Sequence, residues 1–418
     1  MSVVPARILI ISNGPLCRNP RVLKEATALG AAGYTVTVLT VRNHAASESV
    51  DRELLTKAPF QRVTIDLLPG YETPRAVILW RRALTRAARK WCEWFGWQSI
   101  RSLGPAGALL RRARALPSDL VITHNEVPHW VGLQLQAEGR RVSADIEDWH
   151  SEDLLPDQRA GRPVALLQEN EARLLAADTT TTSHALAGAL HTRYGGRRPE
   201  VITNSFPLQP LEPPVADSAP SAFFWFSQTL GPGRGLEEFF AAWILTRHPS
   251  RVVLLGEPMP GYTEQLLSAL PAARRSQVSF LNLVPPAELP AVIARHQLGL
   301  ALEQRNIPSR DLTITNKILQ YLNAGLAVVA SDTTGQREVL AHDPSAGVIV
   351  DLADPAGFAQ ILDGLLSDPA ALQVRRKAAR ALAATVYCWE REAPRRVDMV
   401  AKILAAASQP KVPRGHAS

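Results

Sequence analysis

The chain has 418 residues, 46% apolar and 20% charged, which excludes a disordered or fibrous protein and favours two globular domains over one. No apolar run reaches the roughly 18 residues of a membrane span, no signal-peptide pattern opens the chain, and the three cysteines are scattered, so we expect a cytoplasmic protein without a disulfide framework. The net charge of +7 favours an acidic partner, such as a nucleotide or an anionic lipid surface, without choosing between them.

The first forty residues predict a strand, a helix and a second strand. Residues 6–12 form a continuous apolar strand, which Asn13-Gly14-Pro15 ends. Asn19 is a good N-cap, Pro20 suits the first helical turn, and a second strand follows at 35–40. Such units build right-handed parallel sheets. Further strands of this sheet are predicted at 119–124, 141–147, 179–183 and 199–205.

A basic, aromatic segment covers residues 75–114. It holds nine arginines and one lysine against a single acid, Glu93, together with four of the nine tryptophans. Two interpretations stay open. The segment is either an interfacial helix with rings at headgroup depth and cations against anionic lipid, or a helical hairpin that covers the domain with its arginines in solvent. No nucleic-acid-binding motif accompanies it, so we expect no nucleic-acid partner.

Residues 206–220 contain five prolines and little periodicity, which predicts a linker. After it, strands are predicted at 223–227, 251–256, 278–282, 298–303, 326–331 and 346–350. The sequence therefore predicts an α/β fold with two doubly wound, Rossmann-like domains that face each other across a cleft. The predicted parts are a first domain at 1–205, a linker at 206–220, a second domain at 221–385, a last helix at 386–405 and a tail at 406–418.

Chemistry in such a fold belongs at the carboxyl ends of the strands. Gly14 lies in the first such loop, and His124 ends an apolar strand, which predicts that its imidazole lies in the cleft. In the acidic segment 145–153, Asp145, Asp148 and His150 have spacings that a metal would use, although we favour a structural or acceptor-side role.

Two segments of the second domain suit phosphate binding. The loop 227–238 leads through two glycines to Arg234, whose guanidinium can bind phosphate with two hydrogen bonds. Its glycines do not match the dinucleotide pattern, which disfavours NAD. In the segment 315–340, Thr315 is predicted to cap a helix that Gly325 ends. A polar loop that leads into a helix N-terminus offers free N–H groups to a phosphate or sugar oxygen.

These segments, in this order, resemble family 4 glycosyltransferases (group 1) of the GT-B fold. The resemblance is carried by NPRVLKEA (19–26), the strand that ends in His124, VITN (201–204), the Arg234 loop and the segment 315–340. It implies a retaining, metal-independent enzyme that moves a sugar from a nucleoside diphosphate sugar to an acceptor hydroxyl, with no cofactor besides that co-substrate. Together with the segment 75–114, it suggests a glycan or lipid-linked acceptor, polysaccharide or glycolipid assembly, and a position on the inner face of a membrane.

The resemblance also implies roles for individual residues. The catalytic residues would be His124, which contacts the transferred sugar, and Arg234 and Lys317, which hold the leaving diphosphate. The substrate-binding residues would be Gly14, Gln228, Glu303, Ser309, Arg310, Thr315, Asn316 and Gln320. The chain departs from the family pattern because Gln228 stands in place of an arginine, Arg234 in place of a lysine, and Leu312 and Gln320 in place of an acidic pair. We expect Lys317 to supply part of the charge missing at Gln228, and no metal ion.

Two alternatives stay open. A nucleotide-sugar epimerase of the same fold would use Glu126, Asp145 or Asp148 beside the sugar carbon. The missing acidic pair is also consistent with a non-catalytic member that binds a glycan or a partner.

Overall fold

The structure is a computed structural model that describes residues 5–210 and 221–406. Most of the predicted linker (211–220) and of the predicted tail (407–418) lies outside the described residues. The described chain forms two parallel sheets, each with helices on both faces.

The first domain is built on seven strands: β1 (Arg7–Ile11), β2 (Thr35–Arg42), β3 (Gln61–Asp66), β4 (Leu120–His124), β5 (Val142–Ile146), β6 (Thr179–Thr181) and β7 (Glu200–Val201). Their order in the sheet is β3-β2-β1-β4-β5-β6-β7, and every pairing is parallel. Its helices are α1 (Pro20–Ala31), α2 (Ala45–Leu55), α3 (Arg75–Phe95), α4 (Ala106–Ala115), α5 (Glu126–Ala137), α6 (Val164–Leu174) and α7 (His184–Tyr194).

The second domain has six strands: β8 (Ala222–Leu230), β9 (Arg251–Pro258), β10 (Val278–Leu281), β11 (Leu298–Ala301), β12 (Ala327–Ser331) and β13 (Gly347–Val350). They form an all-parallel sheet in the order β10-β9-β8-β11-β12-β13. The helices that follow them are α8 (Leu236–Trp243), α9 (Tyr262–Ser268), α10 (Ala272–Arg275), α11 (Leu289–Ala294), α12 (Pro308–Leu312), α13 (Asn316–Ala324), α14 (Thr334–Ala341), α15 (Pro355–Ser367), α16 (Pro369–Thr385) and α17 (Trp389–Ala405).

This architecture confirms the predicted fold class. In each sheet the strand order reverses beside the first strand of the domain, between β1 and β4 and between β8 and β11. The loops that leave the carboxyl ends of the strands there diverge to opposite sides and open a crevice, where doubly wound domains bind ligands.

Local signals in the sequence explain the two helices that border the crevices. The Asn19 side chain accepts a hydrogen bond from the Val22 N–H at 3.1 Å, and Pro20 occupies the first turn of α1. Thr315 caps α13 by accepting from the Ile318 N–H. Gly325 ends α13 in the left-handed region, at φ 70°, a conformation that glycine adopts without strain.

The last helix, α17, packs on the first domain rather than on the second. Its residues Met399, Val400 and Ile403 belong to the same core as Ile8 and Val22. Since α16 packs on α13 of the second domain, the chain crosses between the domains at residues 386–388.

The two domains also touch across the cleft. The Glu338 carboxylate, from α14, accepts hydrogen bonds from the backbone N–H groups of His184 and Ala185 at the start of α7, at 2.8 and 2.9 Å. Ser183 donates to the Leu312 carbonyl at 2.6 Å. These contacts join the two domains directly.

Candidate active site

The cleft between the domains contains a cavity of about 480 Å³ with walls from both of them. The first domain contributes Arg18, Glu147, Asp148 and Thr182. From the second domain the structure brings together Gln228, Arg234, Glu303, Ser309, Arg310, Thr315, Asn316, Lys317 and Gln320. These residues are distant in sequence and meet because they follow the carboxyl ends of β8 and β11 or begin α13.

Gly14 lies outside this cavity. It lines a smaller one of about 250 Å³ at the reversal point of the first sheet, together with Asn13, Asn125 and Glu126. Arg18 lines both cavities, so the smaller one adjoins the larger on the side of the first domain.

A buried carboxylate organises the cations of the large cavity. One oxygen of Glu303 accepts from the Lys317 ammonium at 2.8 Å, and the other accepts from the Arg234 guanidinium at 3.1 Å. Burial by itself would raise the pKa of Glu303, but Lys317 and Arg234 outweigh it and hold the pKa below its ordinary value. Arg310 adds a third cation, so the four residues carry a net charge of +2 (three cations against one anion). Glu303 therefore positions two cations at the cavity.

The start of α13 is tied to the first domain. The Asn316 side-chain oxygen accepts from the Asn204 amide at 2.8 Å, and Asn204 in turn accepts from the Lys24 ammonium at 2.9 Å. Burial lowers the pKa of Lys24 to about 7. Ser309 accepts from the backbone N–H of Trp149 at 3.0 Å. Two of the predicted substrate-binding residues therefore also fix how the domains meet.

One wall of the large cavity is apolar. It is formed by Phe226, Leu255, Leu283, Val284 and Leu289, which come from β8, β9, the segment after β10 and α11. Gln228 and Gln320 are polar residues of the same cavity. The cavity thus has a cationic region and an apolar region, which suits a ligand that has both anionic and flat apolar parts.

The structure contradicts the placement predicted for His124. This side chain is fully buried and lines neither cavity. Its Nε2 lies 2.6 Å from Glu25, and its Nδ1 lies 3.2 Å from Asp145. The reason is the alternation along β4: His124 shares a face with Leu120 and Ile122, which pack in the core against α1 and α17. The predicted contact with the transferred sugar is therefore wrong.

His124 belongs instead to a buried charge network. Arg21 pairs with Asp145, and Arg396 from α17 pairs with Glu25. Burial would lower the pKa of His124, but Glu25 and Asp145 outweigh it and raise the pKa above its ordinary value. The network links α1, β4, β5 and α17, and its role is structural.

The residues Asp145, Asp148 and His150, whose spacing a metal would use, do not come together, because Arg21 and His124 hold Asp145 in the interior. His150 lies instead beside Glu126 and Asp153, with candidate ligand atoms within 4.8 Å of one another. The Arg162 guanidinium already pairs with these two carboxylates, at 3.2 and 3.5 Å. The Arg162 guanidinium thus takes the position beside these carboxylates that a metal ion would need.

Glu147 and Asp148 both line the large cavity. Glu147 was not predicted there, and Asp148 was predicted only in a structural or acceptor-side role or as an acid of the epimerase alternative. Burial raises the pKa of Glu147 to about 7, against the opposing effect of Arg21. The Asp148 side chain faces the water of the cavity, but protein surrounds its other sides, and this desolvation raises its pKa. The signal that could have found them is their position directly after β5, at the carboxyl edge of the sheet.

Comparison with known proteins agrees with this architecture. Residues 223–368 match the family described as Glycosyl transferases group 1. No curated protein matches the whole sequence significantly.

Solved structures resemble the chain over almost its full length. Sucrose-phosphate synthase from Thermosynechococcus elongatus is 17% identical with a TM-score of 0.69, over 96% of this chain and 100% of that one. Anabaena HepE in complex with UDP-glucose is 16% identical with a TM-score of 0.67, over 95% and 100%. WaaG, a glycosyltransferase involved in lipopolysaccharide biosynthesis, is 14% identical with a TM-score of 0.60, over 93% and 98%. At these identities the likeness establishes the fold.

Proposed function

We propose that this chain, which has the GT-B fold and matches Glycosyl transferases group 1 at residues 223–368, transfers a sugar from a nucleoside diphosphate sugar to an acceptor hydroxyl. The observation that carries the proposal is the group of Arg234, Lys317 and Arg310 around Glu303, placed beside an apolar wall. Cations suit a diphosphate, and the apolar wall suits a base. The HepE structure, which contains UDP-glucose, has the same fold.

The leaving diphosphate gains negative charge as the bond to the sugar breaks. Arg234, Lys317 and the N-terminus of α13 would stabilise that charge, and they are already fixed before the substrate binds. Glu303 holds both side chains, so little reorganisation is needed during the reaction. The acceptor would enter from the first domain, through the cavity beside Gly14, and Asp148 would face it. Closure of the two domains would exclude water, which otherwise hydrolyses the donor.

The proposal includes retention of the anomeric configuration and independence from metal ions. It also places the enzyme in the assembly of a cell-surface polysaccharide or glycolipid, on the inner face of a membrane. Retention is tested by the NMR coupling constant of the anomeric proton in the product. Metal independence predicts full activity after treatment with a chelator.

The first experiment is a thermal-shift screen against nucleoside diphosphates and their sugars, since a ligand that binds the folded state raises the melting temperature. We expect one base to give the largest shift, and Arg234→Gln to reduce that shift strongly. Arg247→Gln, which removes a cation that does not line the cavity, is the matched control. If no nucleotide shifts the wild type, the proposal fails and a non-catalytic protein, consistent with Leu312 and Gln320 in place of the acidic pair, is favoured.

An epimerase of the same fold remains the second candidate. The buried pairing of Asp145 removes one of its three candidate acids, whereas Glu126 and Asp148 line the cavities. Product analysis with donor alone distinguishes the two activities. An epimerase produces a new nucleotide sugar, and a transferase produces at most slow hydrolysis.

A further inference from the structure

Helix α3 lies on the surface of the first domain with most of its side chains uncovered. Only Ile78, Ala88 and Cys92 of its 21 residues are buried. Among the residues that the structure describes, no helix combines the length and the hydrophobicity needed to span a membrane. The exposure of α3 thus requires another explanation than a membrane span.

Apolar side chains on one side of α3 form a largely exposed stripe. Trp80, Leu84, Ala87, Trp91 and Phe95 recur at intervals of three and four residues, so they share one side of the helix. Trp80 is 64% exposed and Phe95 is 69% exposed. A folded protein rarely leaves rings of this size in water without a partner.

The carboxyl-terminal end of the stripe forms an open groove. The groove has a volume of about 690 Å³ and is lined by Leu84, Trp91, Phe95, Trp97 and Arg101. The ring centroids of Trp91 lie 5.2 Å from those of Phe95 and 6.3 Å from those of Trp97. These rings contact one another rather than the core of the domain. We call the stripe and the groove together the aromatic face, residues 80–97.

Cations border the aromatic face along one side. Arg75, Arg82, Arg86 and Lys90 follow one another at helical spacing beside the stripe. The Lys90 ammonium lies 5.6 Å from the Trp94 ring centroid and 2.9 Å from Glu93, the single acid of the helix. Aromatic rings flanked by cations match the boundary of a bilayer that contains anionic lipid.

The aromatic face is connected through residues 98–104 to the smaller cavity, the one beside Gly14. Arg101 lines the groove, and Gly104 lies so close to Asn13 that a Cβ there would be 3.2 Å from the Asn13 side chain. Asn13 lines the cavity beside Gly14. The segment 98–104 therefore joins the aromatic face to the smaller cavity.

We propose that the aromatic face docks on a bilayer rich in anionic lipid, and that this docking presents the smaller cavity to a lipid-linked acceptor. The part that names the acceptor rests on the proposed function, whereas the docking does not. Anionic lipid is favoured over a second copy of this chain as the occupant, because it complements the basic border directly, whereas an antiparallel two-fold contact would bring the basic border of one helix against that of its mate.

Sedimentation with vesicles tests the docking on the full chain. We expect binding to vesicles of phosphatidylcholine and phosphatidylglycerol, weaker binding as salt increases, and no binding to phosphatidylcholine alone. Replacing Trp91, Trp94 and Phe95 by serine should weaken binding by about tenfold or more for each ring. Arg86→Glu should weaken it by at least about fivefold, the effect of one lost cation at an anionic surface.

Two matched variants control for general effects. Leu245→Ser changes an apolar side chain that is 53% exposed on the second domain, and Arg193→Glu reverses an exposed charge on α7. Both should bind vesicles as the wild type does. Tryptophan quenching by brominated lipids gives a second measurement. Trp149, Trp225 and Trp243 are buried, and Trp130 and Trp389 are partly buried, so the quenching that the triple serine variant loses is that of the aromatic face.

Equal binding of the wild type and the triple serine variant overturns the proposal, and so does absence of binding to anionic vesicles. If the wild type forms a dimer and does not bind vesicles, and the triple variant is a monomer, the aromatic face binds a second copy of the chain instead. The nucleotide thermal shift, measured on the same samples, reports on the donor site and on folding. Vesicle binding without any nucleotide shift would refute the proposed function but leave the docking intact.

Discussion

Lys317→Met tests two roles of Lys317, as the partner of a buried carboxylate and as a cation that holds the leaving diphosphate. The side chain is 8% exposed, and its ammonium lies 2.8 Å from the buried carboxylate of Glu303. Removing one partner of a buried ion pair costs about 3 kcal/mol of stability, because the other charge stays buried. Arg234 remains bound to Glu303, which places the expected loss of folding free energy at or below this value.

The effect on catalysis is a separate quantity. A hydrogen bond from a charged donor contributes about 1.5–3 kcal/mol. If Lys317 holds the leaving diphosphate, its loss should lower kcat/KM for the donor by about tenfold to 150-fold. Lys377→Met, at an exposed position on α16, is the control and should leave kcat/KM unchanged.

The double variant Lys317→Met with Glu303→Gln distinguishes stability from catalysis. It removes the buried anion together with its cation, so the free energy of unfolding, measured in urea, should recover most of what Lys317→Met alone loses. The rate at which the double variant produces nucleoside diphosphate, measured at varied donor concentration, should stay as low as that of Lys317→Met. A folded Lys317→Met enzyme with kcat/KM within about threefold of the wild type would refute the role of Lys317 in holding the diphosphate.

Three further predictions concern the groups that surround the site. His124→Gln should cost up to about 3 kcal/mol of stability because it takes one buried cation away from Glu25 and Asp145, which keep only Arg396 and Arg21 as partners. The folded-state pKa of His124 is raised above 6.5, so the stability difference between this variant and the wild type should be largest below about pH 6.5 and should shrink as pH rises through that pKa. Urea unfolding at several pH values measures this difference, and a difference that grows with pH would contradict the prediction. Glu338→Ala removes the acceptor for two N–H groups of α7, so it should lower the free energy of unfolding by about 1 kcal/mol. Because the domains then separate more easily, the radius of gyration in X-ray scattering and KM for the donor should both increase. The control Glu264→Ala, at an exposed position, should change none of these quantities. Glu147→Gln should stabilise the protein more at pH 8 than at pH 5. Since the pKa of Glu147 is raised from 4.5 to about 7 in the folded state, the wild type loses stability as pH rises between these two values and carries the full cost at pH 8; an equal effect of the substitution at both pH values would refute this.

The regular alternation of strands and helices was predictable, because buried parallel strands such as β1 and β12 are continuous apolar runs. Two elements were missed. Strand β3 lies at the edge of its sheet and reads QRVTID, in which only Val63 and Ile65 are apolar, too few to establish an alternating pattern. Helix α2, which precedes β3, has no periodic apolar pattern and buries Ser47, Glu48 and Asp51 instead of large apolar side chains. Neither shows the hydrophobic pattern from which elements are recognised.

The second-domain half of the site was predictable for a similar reason. Arg234, Thr315 and Lys317 lie in loops or first turns that the local sequence defines. The contribution of the first domain was less accessible. His124 ends a strand as predicted, but the face on which its side chain lies depends on what covers β4, and the cover includes α17, more than 260 residues later. The alternation with Leu120 and Ile122 was the one local sign of its burial.

Contacts between the domains could not be read from the sequence. Glu338 binds the start of α7, and Asn204 binds Asn316, but nothing local to either residue indicates its partner. The same holds for α3. Its sequence predicts an amphipathic helix, whereas only the structure shows that the aromatic side is uncovered and that the buried side is the narrow one with Ile78, Ala88 and Cys92.

The position of α17 also constrains how the protein is made. The core of the first domain includes Met399, Val400 and Ile403, and Arg396 completes the charge network around His124. A ribosome releases these residues only after it has synthesised the whole second domain. The first domain therefore waits, with one face of its sheet open and Glu25 lacking its partner Arg396, until α17 has been translated. In this chain the synthesis of α17, rather than the emergence of the first domain, completes that domain's fold.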